Sequence, residues 1–330
     1  MKERILPPLM ALLPLPLLHR MSGVAVVMPY YHMVSDESVP HVKHLYSYRN
    51  VRQFTQDLDF FLANYEPITL HDLLGHLDGN KTLPKRCFLL TFDDGFREMH
   101  DVVAPILHAK GVPATFFLST GFIDNADMAH HAKLSLLVEH IAQSTEKSLR
   151  SAAQEILNRN QIAGPDFGKS MVAITYRQKH LVTELAAACG YDFAPYQSTR
   201  RPYVTSNQVR SLLRQGFTIG AHSLDHPLFA DIPLAEQLHQ TRESMAFLTD
   251  RFQIEYRTFA FPHSDAGVEA GFFEALFPTG ELAVSFGTRG MVSHFFPRNL
   301  ERFSMEKTQS PARQVVAWQS FRGWSKALKN

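Results

Sequence analysis

The sequence predicts an α/β protein built on a parallel sheet or barrel. Three observations carry that expectation. Short apolar runs recur along the chain, and stretches with apolar residues at helical spacing lie between them. Several runs are continuous in Val, Ile, Leu and Phe rather than alternating, as befits strands covered on both faces. The chain has 330 residues, 45% of them hydrophobic and 20% charged, which is enough for one large α/β domain or two ordinary ones and argues against disorder.

The strand candidates, in order, are 24–31, 67–70, 87–92, 114–119, 217–221, 258–262 and 282–286. Between them, Phe54, Leu58, Phe61 and Leu62 recur at helical spacing, as do Val103, Ile106 and Leu107. The clearest helix start is Thr205 with Gln208 three residues on, a capping box, followed by the stripe Val209, Leu212 and Leu213 and a stop at Gly216. Residues 124–204 break the rhythm, because a βα unit needs far less chain. Their first part, 134–157, reads as helical and 191–201 as turn-rich, so an inserted, mainly helical subdomain is expected there, covering an active-site mouth. Residues 24–330 form the main domain around it.

Residues 1–23 are a separate apolar segment. A basic start and the apolar run 5–18 resemble a signal peptide, but Pro7, Pro8, Pro14 and Pro16 break the run and no small-residue cleavage site follows. The run is also shorter than the ~20 residues that span a bilayer. It reads as a packing segment or a peripheral membrane contact. A cytoplasmic location is the expectation, with export or membrane association as the alternative.

Lys and Arg number 33 against 32 Asp and Glu, so the net charge of +1 gives no general pull towards nucleic acid. With only Cys87 and Cys189, a disulfide framework and a thiolate zinc site are excluded. Histidine is abundant, at 17 residues, so a bound metal would be held by imidazole and carboxylate.

Chemistry-bearing residues gather where strands end. Asp93-Asp94-Gly95 closes the run 87–92, and Gly95 permits the bend that two adjacent carboxylates need to face one site. His222 and His226 follow the strand 217–221 at a spacing that places both imidazoles on one face of a helical turn. One carboxylate and two histidines suit a divalent metal with open positions. Pro262-His263-Ser264-Asp265 and Tyr30-Tyr31-His32 end two further strands, so the four clusters converge on one rim.

Thr91-Phe-Asp-Asp-Gly95, His222-Ser-x-x-His-Pro227, Tyr31-His-x-Val34 and Phe259-Ala-Phe-Pro262 together resemble the polysaccharide deacetylase family, carbohydrate esterase family 4. The resemblance covers 24–123 and 205–303. It implies a distorted (β/α) barrel of fewer than eight strands and a metal-dependent N-deacetylase of N-acetylated sugars. By that match Asp93 is the general base, and Asp94, His222 and His226 hold the metal, most readily zinc, with cobalt or nickel as alternatives. The partner implied is a carbohydrate substrate.

Two departures stand out. Ala260 occupies the place of an Arg found in many members, and His263-Ser264 replaces Tyr-Gly. Arg298 or Arg302 is the expected substitute for orienting the base, and these two with Pro262 are the candidates for substrate or oxyanion contacts. The late Leu-x-His that supplies the acid in many members is absent. His32 is the first candidate acid, His263 the second and His294 the third. Two other classes compete: a glycan-binding protein on the same scaffold without catalysis, supported by the altered third motif, and a non-haem iron oxygenase, since two histidines and a carboxylate also suit Fe(II).

Overall fold

The computed structural model describes residues 10–292, 295–306 and 309–327. Its centre is a parallel barrel. The strands are β1 (Pro29–Tyr31), β2 (Leu90–Phe92), β3 (Ala114–Leu118), β4 (Thr218–Ala221), β5 (Thr258–Ala260), β6 (Val284–Gly287), β7 (Asn299–Glu301) and β8 (Phe303–Ser304). Their order round the sheet is β7-β6-β5-β4-β3-β2-β1-β8, with every ladder parallel. Only Arg302 separates β7 from β8, so one extended run pairs with β6 through Asn299↔Ser285 and with β1 through Phe303↔Pro29. That run closes the ring. Counted as a single strand it leaves seven, in accord with the expectation of fewer than eight.

At the opposite end, Val26–Val27 and Glu66–Pro67 flank Cys87–Phe88 in a short three-stranded sheet. The run 67–70 is therefore extended only at its start. Thr69 and Asp72 form a reciprocal capping box that begins the helix Leu70–Leu77, overriding the strand propensity of Ile68. The helix expected from Thr205 runs Ser206–Arg214, with its capping box in place.

Inside the barrel, Met28, Leu89, Phe117, Ala260 and Phe286 pack together and are buried. Gly220 makes this possible, since a Cβ there would lie 2.4 Å from the Phe117 ring. The outer core joins Phe54, Leu58 and Phe61 from the helix Val51–Asn64 to Tyr31, Phe92 and Phe116.

Between β3 and β4 the chain runs through helices, beginning with His130–Gln143 and Lys147–Arg159 and ending with His180–Ala188 and Ala194–Arg200. Their Leu137, Ile141, Leu157, Met171 and Leu185 form an apolar cluster of their own.

The described part of the N-terminal apolar segment packs on the body. Leu15 and Leu18, in the helix Leu15–Ser22, join the main cluster, and Arg313 of the C-terminal helix Ala312–Ala327 donates to the carbonyls of Ala11 and Leu13. Leu12 and Leu17 are exposed, and residues 5–9 lie outside the described residues. Among the described residues no helix is long and apolar enough to cross a membrane.

Candidate metal and catalytic site

The site forms where β1, β2, β4 and β5 end. Asp93 continues the β2 ladder, its N–H donating to the Tyr31 carbonyl at 2.9 Å. Asp94 then takes a left-handed conformation, φ 78°, before Gly95 at φ 83°. The reversal therefore begins at the second carboxylate itself, and it presents both carboxylates to one side. Each is buried.

His222 continues β4 in the same way, through its N–H to Leu118 O. Its Nδ1 lies 2.8 Å from the Ala260 carbonyl, which only accepts, so Nδ1 carries the proton and Nε2 keeps its lone pair. That Nε2 faces Asp94 Oδ1 at 3.4 Å. The helical turn expected over His222 and His226 does not form. The segment is a loop with left-handed Ser223 and His226, tied by the His226 N–H to Ser223 Oγ at 3.0 Å. The loop nonetheless returns His226 Nε2 to 3.0 Å from Asp94 Oδ1.

One ligand atom each from Asp94, His222 and His226 lies within 4.8 Å of the others. Asp94 Oδ1 is buried and has no well-formed hydrogen bond, although two imidazole nitrogens stand beside it. Lone pairs directed at a common point fit a cation, and nitrogen and oxygen donors with a backbone-oriented histidine fit zinc or a neighbouring transition metal. Burial alone would raise the Asp94 pKa, but the imidazoles of His226 and His32 hold it well below the usual carboxylate range.

Asp93 is clamped. Arg302 donates from Nη1 to Oδ1 at 2.7 Å and from Nη2 to Oδ2 at 2.8 Å, and Nη1 also reaches Thr91 Oγ1. The guanidinium is fully buried and lies over the rings of Tyr30 and Phe117. Arg298 is turned elsewhere. It reaches Asp78 and the carbonyls of Leu77 and Ala283, at the other end of the strands.

His32 Nδ1 lies 2.6 Å from Glu306 Oε2, and the same carboxylate accepts the backbone N–H groups of His32 and Met33. Burial would lower the His32 pKa. The charges of Glu306 and Asp94, with the Glu306 hydrogen bond, overcome it and raise the group to about 9. Pro262 is buried at the end of β5, and His263 follows in a left-handed conformation. The His263 ring lies 4.5 Å from that of His226 and 5.1 Å from that of His131. His294 lies outside the described residues.

Three residues here escape sequence reasoning. Glu306 acts on a histidine 274 positions away. Tyr46 places its hydroxyl 3.4 Å from Asp94 Oδ2, and His131 arrives from the insertion. None sits in a motif, and their convergence depends on the closed ring. A cavity of about 340 Å³ opens beside these groups, walled by Tyr46, Phe96, Phe122, Val172 and Tyr203. The ligands of non-haem iron oxygenases usually lie on a double-stranded β-helix, whereas the ladders here form a parallel barrel.

The chain matches the family model for polysaccharide deacetylase over residues 80–271, more than half its length. No curated protein sequence matches significantly. Among solved structures it is similar to the Streptococcus pyogenes deacetylase PplD in complex with acetate, at 15% identity and TM-score 0.58, covering 89% of this chain and 98% of that one. It is also similar to IcaB from Ammonifex degensii, at 18% identity and TM-score 0.57, covering 90% and 98%. A de-N-acetylase from Aggregatibacter actinomycetemcomitans aligns at 15% identity and TM-score 0.55, covering 88% and 99%. These identities establish a shared fold, and the family match establishes descent: the chain belongs to the polysaccharide deacetylase family.

Proposed function

We propose that the protein removes the N-acetyl group from an N-acetylhexosamine unit of a glycan or glycan precursor, using a divalent cation, most readily zinc. The observation that carries this reading is the pairing of a clamped carboxylate, Asp93, with an adjacent ligand set, Asp94, His222 and His226. The names of the similar structures point to the same chemistry.

A cation bound there would supply Lewis acidity, polarising the acetamide carbonyl and making water easier to deprotonate. The chain's own residues do the rest. Asp93 accepts the proton of the attacking water, and Arg302 fixes the carboxylate plane so that its remaining lone pairs face the site. His32, protonated beside Glu306, gives a proton to the departing amine nitrogen. Acid and base are then two groups whose surroundings push them to opposite protonation states. The altered third motif was the support for a catalytically silent binder, and Arg302 supplies from another strand the guanidinium that motif lacks.

The test is acetate release from N-acetylated oligosaccharides by zinc-loaded protein. Asp93→Asn is expected to lower kcat by roughly 10²–10⁴-fold while leaving bound zinc unchanged. Turnover equal to wild type in that variant overturns the mechanism.

A further inference from the structure

The insertion walls one side of the barrel mouth. Its first helix, His130–Gln143, is stitched to the loop 36–48 that follows β1. Ser135 Oγ donates to the Pro40 carbonyl at 2.6 Å, and Lys43 and His44 reach Glu139 at 2.6 and 2.8 Å. Further along, the Tyr196 hydroxyl meets His41 Nδ1 at 2.8 Å. Beneath these polar contacts Val39, Val42, Met128 and Leu136 form a buried apolar cluster with Phe122 and Tyr203.

The opposite flank is tied as well. Tyr176 donates to Asp225 Oδ2 at 2.7 Å, Lys179 pairs with the same oxygen at 2.8 Å, and Arg177 donates to the Asp231 carbonyl. The ring of His131 meets that of His263, after β5, edge to face at 5.1 Å. The insertion springs from the end of β3 and so covers the ends of β1 to β5, which are consecutive in the ring. Among the described residues, the insertion's contacts leave the sector of β6 to β8 for approach.

A glycan held by one of its interior residues must leave the site in two directions, which needs a groove open at both ends. Here the insertion's contacts at the ends of β1, β4 and β5 close one of those directions among the described residues. The cavity of about 340 Å³ is also near the lower end of the ~300–1,000 Å³ usual for small-ligand pockets. We infer that the protein deacetylates a terminal sugar, or a single sugar unit, and is closed to interior residues of a polymer, with the wall between the insertion and loop 36–48 setting that selectivity. The inference rests on the deacetylase reading above and adds which part of the glycan is processed.

The test incubates the zinc-loaded full chain with N-acetylglucosamine and its β-1,4-linked trisaccharide and hexasaccharide, measuring acetate and locating the free amine by mass spectrometry. About one acetate per chain at exhaustion, from one end and independent of length, is expected. Interior deacetylation that grows with chain length overturns the inference and leaves the deacetylase reading intact. Absence of acetate from all three overturns that reading and the inference with it. Glu139→Lys sets a cation against Lys43 and His44, so it is expected to loosen the wall and raise interior deacetylation by about tenfold, with turnover of the monosaccharide retained. An end-only pattern in that variant overturns the assignment of selectivity to the wall.

Discussion

Arg302 and Asp93 are 209 positions apart in the chain and form a two-pronged ion pair at 2.7 and 2.8 Å inside the barrel. The pair is buried on both sides, so its two halves are not independent. Arg302→Met leaves a buried carboxylate without its counter-charge and is expected to cost about 3–5 kcal/mol of stability. Arg302→Lys keeps the charge but loses the fork, so stability is largely retained while kcat falls roughly 10²-fold. Thermal melts and acetate kinetics on the two variants separate structure from orientation. Equal kcat in Arg302→Lys and wild type removes Arg302 from the mechanism.

Glu306 is expected to set the alkaline limb of the rate profile. In the proposed role His32 must be protonated, so rate is expected to decline as pH rises through a pKa that Glu306 holds above the usual imidazole value. Glu306→Gln removes the nearest negative charge and lets burial prevail. The limb then moves to lower pH by about one unit or more. A kcat profile from pH 6 to 10 decides this, and an unmoved limb assigns the acid to another group.

Metal affinity is expected to depend on Asp94, His222 and His226 alike. Chelator-stripped protein should regain acetate release on adding zinc or cobalt. Zinc at about 100 times its Kd should stabilise the fold by about 2.7 kcal/mol, a rise of several degrees in Tm. Asp94→Asn and His222→Ala should lose that rise, whereas Asp93→Asn should keep it. A rise preserved in His222→Ala contradicts the ligand set.

A second carboxyl pair predicts a pH-dependent stability unrelated to catalysis. Asp265 and Glu301 pack against Gly287, where a Cβ would lie 2.5 Å from both, and Asn299 and Arg289 bond to them. Burial, then the charge of Asp265, pushes the Glu301 pKa up to about 7 from 4.5. The native state thus holds a proton that the unfolded chain has released. Its contribution is full below about pH 4.5 and is lost as pH rises through about 7. Melting temperature should fall between pH 5 and 8, and Glu301→Gln should flatten that fall. An equally steep decline in the variant excludes Glu301 as its source.

The parts of the fold that were legible are those whose residues obey burial alone. Strands β2 to β5 sit between helices on one side and a packed interior on the other, so their sequences are continuous apolar runs. The closing run 299–304 follows a different rule. Asn299, Glu301, Arg302 and Ser304 turn towards polar networks, which leaves no apolar pattern to read. The stretch 134–157, read as helical, is helical in two pieces, His130–Gln143 and Lys147–Arg159. The spacing of His222 and His226 brings the two imidazoles together by another route than the expected one, since a helical turn and a loop with two left-handed residues both join side chains four apart. For Glu306 no local signal exists, because its role is created by where the ring closes.

That closure also governs when the site can exist. Asp93 and Asp94 leave the ribosome well before the guanidinium that steadies one of them and the carboxylate that tunes His32, both encoded after residue 300. A nascent chain lacking this last extended run has an open sheet, an unpaired buried acid and an untuned histidine all at once. Contacts spanning more than 200 positions must therefore form last and together. The run that closes the scaffold thus also brings Asp93 and His32 their buried partners, in one step.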